Sequence, residues 1–206
     1  NYDASQENAV YCLQSLYERL TPETKEKQQL GLLAKFRSKF KPSEAAGPIK
    51  GLYFWGGVGR GKTYLMDNFY ESLPFEQKMR VHFHRFMRRV HGELRLLKGE
   101  KNPLEKVADR LASEARVICF DEFFVSDITD AMLLGALLEY LFDRRVTLVA
   151  TSNIMPNNLY ENGLQRRRFL PTIALLNEHT DVINVDGGVD YRLRALERAE
   201  LYHQPL

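Results

Sequence analysis

Eight consecutive residues, Gly56-Gly57-Val58-Gly59-Arg60-Gly61-Lys62-Thr63, have the order of a loop built to hold phosphate. Glycines let a backbone curl until successive N–H groups point at one anion. A helix opening directly behind the loop adds its positive end at the same point. Lys62 is a cation suited to the β- and γ-phosphates of a nucleotide, and Thr63 offers a hydroxyl to Mg²⁺. The full G-x-x-x-x-G-K-[ST] spacing arises by chance in a chain of this length about once in a hundred. Gly56, Gly57, Val58, Gly59, Arg60, Gly61, Lys62, Thr63 and Tyr64 are therefore the candidate nucleotide-binding residues.

A second constellation lies some sixty positions on. Val117-Ile118-Cys119-Phe120 is an apolar run ending in Asp121-Glu122. A buried strand of that kind delivers Asp121 to the top of the sheet beside the phosphate loop, where it can hold Mg²⁺, through water. Glu122 is then placed to orient and polarise an attacking water. An acidic pair after a strand is a weak signal alone and gains its weight from the phosphate loop before it.

Two further features fit the AAA+ division of P-loop ATPases. Val149-Ala150-Thr151-Ser152-Asn153 is a strand ending in small polar residues, and Asn153 is the candidate sensor of the γ-phosphate. Gln165-Arg166-Arg167-Arg168-Phe169 holds three arginines in the region from which AAA+ rings reach into a neighbouring subunit's ATP site. Charge runs are usually solvated helix faces, and at least one of these arginines is expected to be just that.

The elements that must position these residues can be read from periodicity. Asp3 to Leu20 is predicted helical, with Asp3 and Gln6 at capping-box spacing and Ala9, Leu13, Leu16 and Leu20 forming a stripe. A second helix is expected from Thr21-Pro22 to about Lys39, then a loop from Lys41 to Pro48. Predicted strands are Ile49–Trp55, Met79–His84, Arg116–Phe120, Val146–Ala150 and Val182–Val185. Helices are expected at Tyr64–Leu73, Arg85–Leu97, Leu104–Ala115, Thr129–Phe142 (capped by Asp127) and Phe169–Glu178. This alternation predicts an α/β fold: a five-stranded, mostly parallel sheet flanked by helices, with an N-terminal helical segment over residues 1–48 and the ATPase core over 49–206.

Composition narrows the function classes. The net charge of +2 across 206 residues gives no global field for nucleic acid or anionic lipid. No apolar run reaches the ~18 residues of a membrane helix. Two distant cysteines, Cys12 and Cys119, suit a reducing compartment better than a disulfide scaffold. Cys119 reads as a small buried hydrophobe. His82 and His84 would share a strand face, but no third or fourth ligand has metal-site spacing. Arg85, Arg88, Arg89, Arg95 and Lys98 make one predicted helix basic, usually the mark of a solvated face and less often of a partner or nucleic-acid surface.

The longer motifs go beyond a generic ATPase. Val81-His82-Phe83-His84-Arg85-Phe86-Met87, Phe120-Asp121-Glu122-Phe123, Asp127-Ile128-Thr129-Asp130-Ala131-Met132, Leu159-Tyr160-Glu161-Asn162-Gly163-Leu164-Gln165-Arg166 and Phe169-Leu170-Pro171 together resemble the ZapE family of AAA+ ATPases. The resemblance runs from Asp3 to Asp190-Tyr191-Arg192. It implies an ATPase of the bacterial cytoplasm at the division site, acting on filaments of the tubulin-like protein FtsZ; mitochondrial relatives are implied to act in protein quality control. Phe124 stands where mitochondrial members tend to carry Gln, which favours the bacterial branch. The resemblance assigns Lys62 to phosphate, Asp121 and Glu122 to the acidic pair, and Arg166 to a finger acting in trans within a homo-oligomer, with Arg168 as its rival. Family members extend beyond this chain's last residue, so a C-terminal helical lid is expected to be absent or truncated. Two alternatives stand beside this reading: a nucleic-acid-directed AAA+ protein of helicase-loader or initiator type, disfavoured because no concentrated basic stripe or reading module is evident, and an ATP-gated scaffold with little turnover.

Overall fold

A computed structural model describes residues 4–22 and 48–186. The helix α1, Ala4–Leu20, precedes the strand β1, Gly51–Trp55, the loop 56–61 and the helix α2, Lys62–Ser72. Then come β2 (Lys78–His82), α3 (Phe83–Leu96), α4 (Pro103–Glu114), β3 (Val117–Asp121), α5 (Ile128–Asp143) and β4 (Thr147–Ser152). Short 3₁₀ turns at Pro156–Asn158 and Arg166–Arg168 lead into α6, Leu170–His179, and β5, Thr180–Asn184.

The strands form one sheet in the order β2-β3-β4-β1-β5, and every neighbouring pair is parallel. β1, β3 and β4 lie inside the sheet and are almost wholly buried, which is why they read as unbroken apolar runs. β2 and β5 are edges and carry charge.

Side chains alternate between the two faces. Leu52, Phe54, Val117, Cys119 and Val149 point to one face, covered by α1 and α2. Tyr53, Ile118, Phe120, Leu148 and Ala150 point to the other, covered by α3 to α6. Full burial of each large side chain contributes ~1.5–3 kcal/mol before chain entropy is set against it. Gly51 opens β1 with its backbone against Leu148 of β4: a Cβ there would lie 1.8 Å from the Leu148 carbonyl oxygen.

The N-terminal stripe is buried as expected, with Ala9, Leu13, Leu16 and Leu20 against Leu65, Met66 and Phe69 of α2. The Gln6 amide donates to the Arg60 carbonyl at 3.3 Å, tying α1 to the phosphate loop. Asp3, and most of the expected helix and loop between Thr21 and Pro48, lie outside the described residues. Asp127 caps α5 as predicted, accepting from the amides of Thr129 at 2.7 Å and Asp130 at 3.2 Å. The strand expected to reach His84 stops at His82, because the chain enters α3 at Phe83 to bury Phe83, Phe86, Met87 and Val90. His82 and His84 therefore do not share a strand face, although their rings still stack at 5.9 Å.

Candidate active site

The loop between β1 and α2 is shaped by three glycines with left-handed or strained backbone, Gly56, Gly59 and Gly61. Its first residue is tied to the sheet: the Gly56 amide donates to Ser152 at the end of β4. At its far end Gly61 is the N-cap of α2 and offers no side-chain cap, so the first amides of the helix are left for an outside acceptor. Thr63 is exposed in that first turn, and its hydroxyl has no hydrogen-bond partner among the described residues. Val58 and Tyr64 are exposed beside it.

Lys62 turns its ammonium back over the loop. Nζ donates to the carbonyls of Gly56 at 2.6 Å and Gly57 at 2.7 Å, and to Asn153 Oδ1 at 3.1 Å. The contact with Asn153 joins the phosphate loop to the residue expected as sensor, just beyond β4. Burial pushes the Lys62 pKa down, opposed by the negative charge of Asp186. The loop after Asn153 is itself anchored, because the Tyr53 hydroxyl donates to the Ile154 carbonyl at 2.8 Å.

The acidic pair stands at the end of β3, two positions across the sheet. Asp121 keeps the alternation of its strand and faces the side of α2. There it meets Arg80 of β2, which donates to it through Nε at 2.8 Å and Nη2 at 3.3 Å. The same guanidinium also donates to Asp67 of α2. Burial works against the Arg80 charge, but the hydrogen bonds to Asp121 and Asp67 outweigh it and hold its pKa above the ordinary value.

Glu122 leaves the strand with a left-handed backbone, φ 54°, uncommon for a residue with a Cβ. The turn is pinned from both sides. Phe120 and Phe123 are fully buried around it, and the Phe123 ring lies 4.5 Å from that of Phe83. The Phe123 amide donates to the Thr151 carbonyl at 2.7 Å, the Glu122 amide to Thr151 Oγ1 at 3.3 Å, and Ser152 Oγ to the Phe123 carbonyl at 2.7 Å. Thr151 and Ser152, read from sequence as a polar run leading to a sensor, thus hold the acidic turn in place. The Glu122 carboxylate is 78% exposed, with His82 Nδ1 at 3.9 Å as its ionisable neighbour.

Lys62, Asn153, Asp121 and Glu122 are therefore brought to one end of the sheet. Arg166 stands apart. Its Nη2 donates to the Asn157 carbonyl at 2.7 Å, its Nε has no partner among the described residues, and it makes no hydrogen bond or ion pair to the phosphate loop. Arg168 is exposed and bonds Gln165 at 3.0 Å. Two site residues had no signal in the sequence, Arg80 and Asp186. Asp186 follows β5 and accepts from the Gly57 amide at 2.8 Å while pairing with Arg60 at 3.0 Å.

No helix among the described residues is long and apolar enough to cross a membrane. No group of three or more metal-binding side chains occurs among them either. Cys119 is fully buried, and burial pushes its thiol up to about 12, which suits the inert core role expected of it.

A family model described as AFG1-like ATPase matches residues 1–206. The chain belongs to the AFG1-like ATPase family. It is 56% identical to the cell division protein ZapE of Escherichia coli K12 over 99% of its own length, and spans 55% of that relative. The AFG1-like ATPase core is also similar in fold to a putative primosome component from Streptococcus pyogenes (TM-score 0.53, 18% identity, 88% of this chain and 79% of that one). It is similar as well to AMPPCP-bound DnaA from Aquifex aeolicus (TM-score 0.53, 14% identity, 80% and 49%). At those identities the likeness concerns the fold, the P-loop AAA+ sheet described above.

Proposed function

We propose that this chain binds Mg-ATP at the loop 56–63 and hydrolyses it. The observation that carries the reading is the Lys62 ammonium, poised over an uncapped helix start and bonded to Asn153. The three carbonyl and amide oxygens that hold Lys62 are weak partners for an ammonium compared with a triphosphate, so it exchanges them for the β- and γ-phosphates. The amides at the start of α2 take the phosphate oxygens between them. Mg²⁺, when bound, would neutralise the phosphate charge, with Thr63 and Asp121 as its protein-side neighbours. Glu122, exposed and fixed by its pinned turn, orients and polarises the attacking water. Asn153 follows the γ-phosphate through its shared contact with Lys62.

The test separates binding from turnover. Lys62→Ala is expected to abolish measurable ATP binding by calorimetry. Glu122→Gln is expected to keep binding and lose phosphate release by ~10²-fold or more. Hydrolysis by Glu122→Gln at the parental rate would remove Glu122 from the role of base.

The partner reading rests on kinship with the ZapE relative, named a cell division protein. It makes this chain part of an ATPase of the bacterial cytoplasm that works at the division site on FtsZ filaments, as a homo-oligomer in which Arg166 serves the neighbouring site. Co-sedimentation with FtsZ filaments, with and without ATP, tests it: equal recovery in the pellet with and without filaments would set it aside.

A further inference from the structure

The inner face of α3 is spent on the core, through Phe83, Phe86, Met87 and Val90. Its outer face carries His84, Arg85, Arg88, Arg95 and Leu96, all exposed. The basic side chains of the described residues fall into two groups. Arg89 is bonded to Glu93 at 2.7 Å and Glu114 at 2.6 Å, and Arg144 to Asp109 at 2.6 Å. In contrast, the side chains of Arg85, Arg88, Arg95 and Lys98 have no hydrogen bond or ion pair with any described residue. Their charge is uncompensated along one line of the helix. Gly92 lies within that line, and a Cβ there would meet nothing within 4 Å.

The stripe ends at an open cavity of about 640 Å³ lined by His91, Leu94, Arg95, Lys98, Leu104 and Leu133. Its walls are leucines from α3, α4 and α5, and its rim is cationic. The nearby acids are already taken: Asp130 bonds His91 at 2.6 Å, and Glu100 bonds Lys106 at 2.5 Å. Leu96, 82% exposed, adds apolar surface on the same helix.

We propose that this face binds an acidic, extended polypeptide segment, its carboxylates along the arginine stripe and one bulky apolar side chain in the leucine-walled cavity. Charge complementarity fixes the sign of the partner. The leucine walls call for an apolar side chain at one end, which a sugar–phosphate backbone lacks. Single-stranded nucleic acid would also want exposed aromatic rings for its bases to stack on. The large exposed aromatic side chains of the described residues, Tyr11, Tyr64 and Phe124, lie on α1, on α2 and after β3 instead. The surface is distinct from the phosphate site but begins beside it, since α3 starts one residue after His82, the neighbour of Glu122. The inference deepens the reading of a protein-directed ATPase, while the binding itself requires no turnover.

The experiment measures fluorescence anisotropy of a labelled synthetic peptide of about twelve residues, rich in Glu and Asp with one central Leu, mixed with the 206-residue chain at low salt without nucleotide. Binding is expected, weakening as salt rises. The double variant Arg88→Glu/Arg95→Glu should weaken it at least tenfold, with helicity by circular dichroism and calorimetric ATP affinity unchanged. Replacing the peptide's Leu by Ala should cost several-fold. Equal affinity for the Leu and Ala peptides overturns the proposal, as does tighter binding of labelled oligo-dT than of the acidic peptide. No peptide binding at all overturns it equally. A chain that binds the peptide but never hydrolyses ATP leaves this inference standing and removes the ATPase reading; the reverse outcome does the opposite.

Discussion

Arg80 Nε lies 2.8 Å from Asp121 Oδ2, and Asp67 closes on the same guanidinium from α2. One fixed cation on an edge strand thus bridges the phosphate-loop helix and the carboxylate expected to face magnesium. Without it, two carboxylates would be left facing each other. Arg80→Ala is expected to destabilise the metal-free chain by ~1–3 kcal/mol, the cost of unpairing partly buried charge. Because the vacated space is strongly anionic, Mg²⁺ should raise the melting temperature of the variant more than that of the parent. Thermal melts with and without millimolar Mg²⁺ check this; identical magnesium responses would show that the pair does not face the metal.

Asp186, although paired with Arg60, occupies with a carboxylate oxygen the Gly57 amide, one of the groups that a phosphate-binding loop turns toward its anion. Near a protein surface a charge at such a distance is felt at the level of ~1 kcal/mol or more. Asp186→Ala is therefore expected to tighten ATP binding about three- to tenfold, read by calorimetry. Weaker binding would mean that Asp186 serves the nucleotide by aligning Arg60.

Arg166 Nη2 is held to the Asn157 carbonyl within its own chain, and its buried Nε has no partner among the described residues. Nη1 is not buried and makes no hydrogen bond with a described residue, so it is the donor left for a neighbouring chain's acceptor. Arg166→Ala is expected to bind ATP normally and hydrolyse it ~10³-fold more slowly. Mixing it with Lys62→Ala chains should restore part of the activity, since each variant supplies what the other lacks at a shared interface. Mixed oligomers that stay inactive would shift the role to Arg168.

The cap of α5 gives a pH signature. The Asp130 and Thr129 amides hold the Asp127 carboxyl below its usual range. A carboxyl lowered on folding stabilises above its unfolded pKa and loses that contribution as pH falls through its folded pKa. Asp127→Ala should lower the melting temperature at pH 7, and the gap from the parent should shrink below about pH 4. A gap that stays constant with pH would rule out the charged cap.

Much of this was legible from local residues. Central parallel strands must be apolar throughout, so Leu52–Trp55 and Val117–Phe120 announced themselves. The phosphate loop was legible because its chemistry needs contiguous residues. Arg80 and Asp186 were not, because their partners lie 41 and 129 positions away and only the sheet order brings them together. The end of β2 was misjudged at His84, where an alternating pattern passes without a turn into the amphipathic α3. Thr151 and Ser152 read as a polar run leading to a sensor; that they brace the acidic turn depends on β3 and β4 being neighbours.

The register of β1 has a consequence for biosynthesis. Leu52 lies beside Val149 on one flank and Asp181 on the other. The strand that launches the phosphate loop thus leaves the ribosome early and waits for both neighbours. At ~5–20 residues per second, the interval before Asp181 emerges is on the order of ten seconds. Throughout it Leu52 and Phe54 have no completed sheet to enter, and the nascent loop has no β4 to fasten Gly56. Nucleotide capture is then expected to be a late event that reports completion of the core.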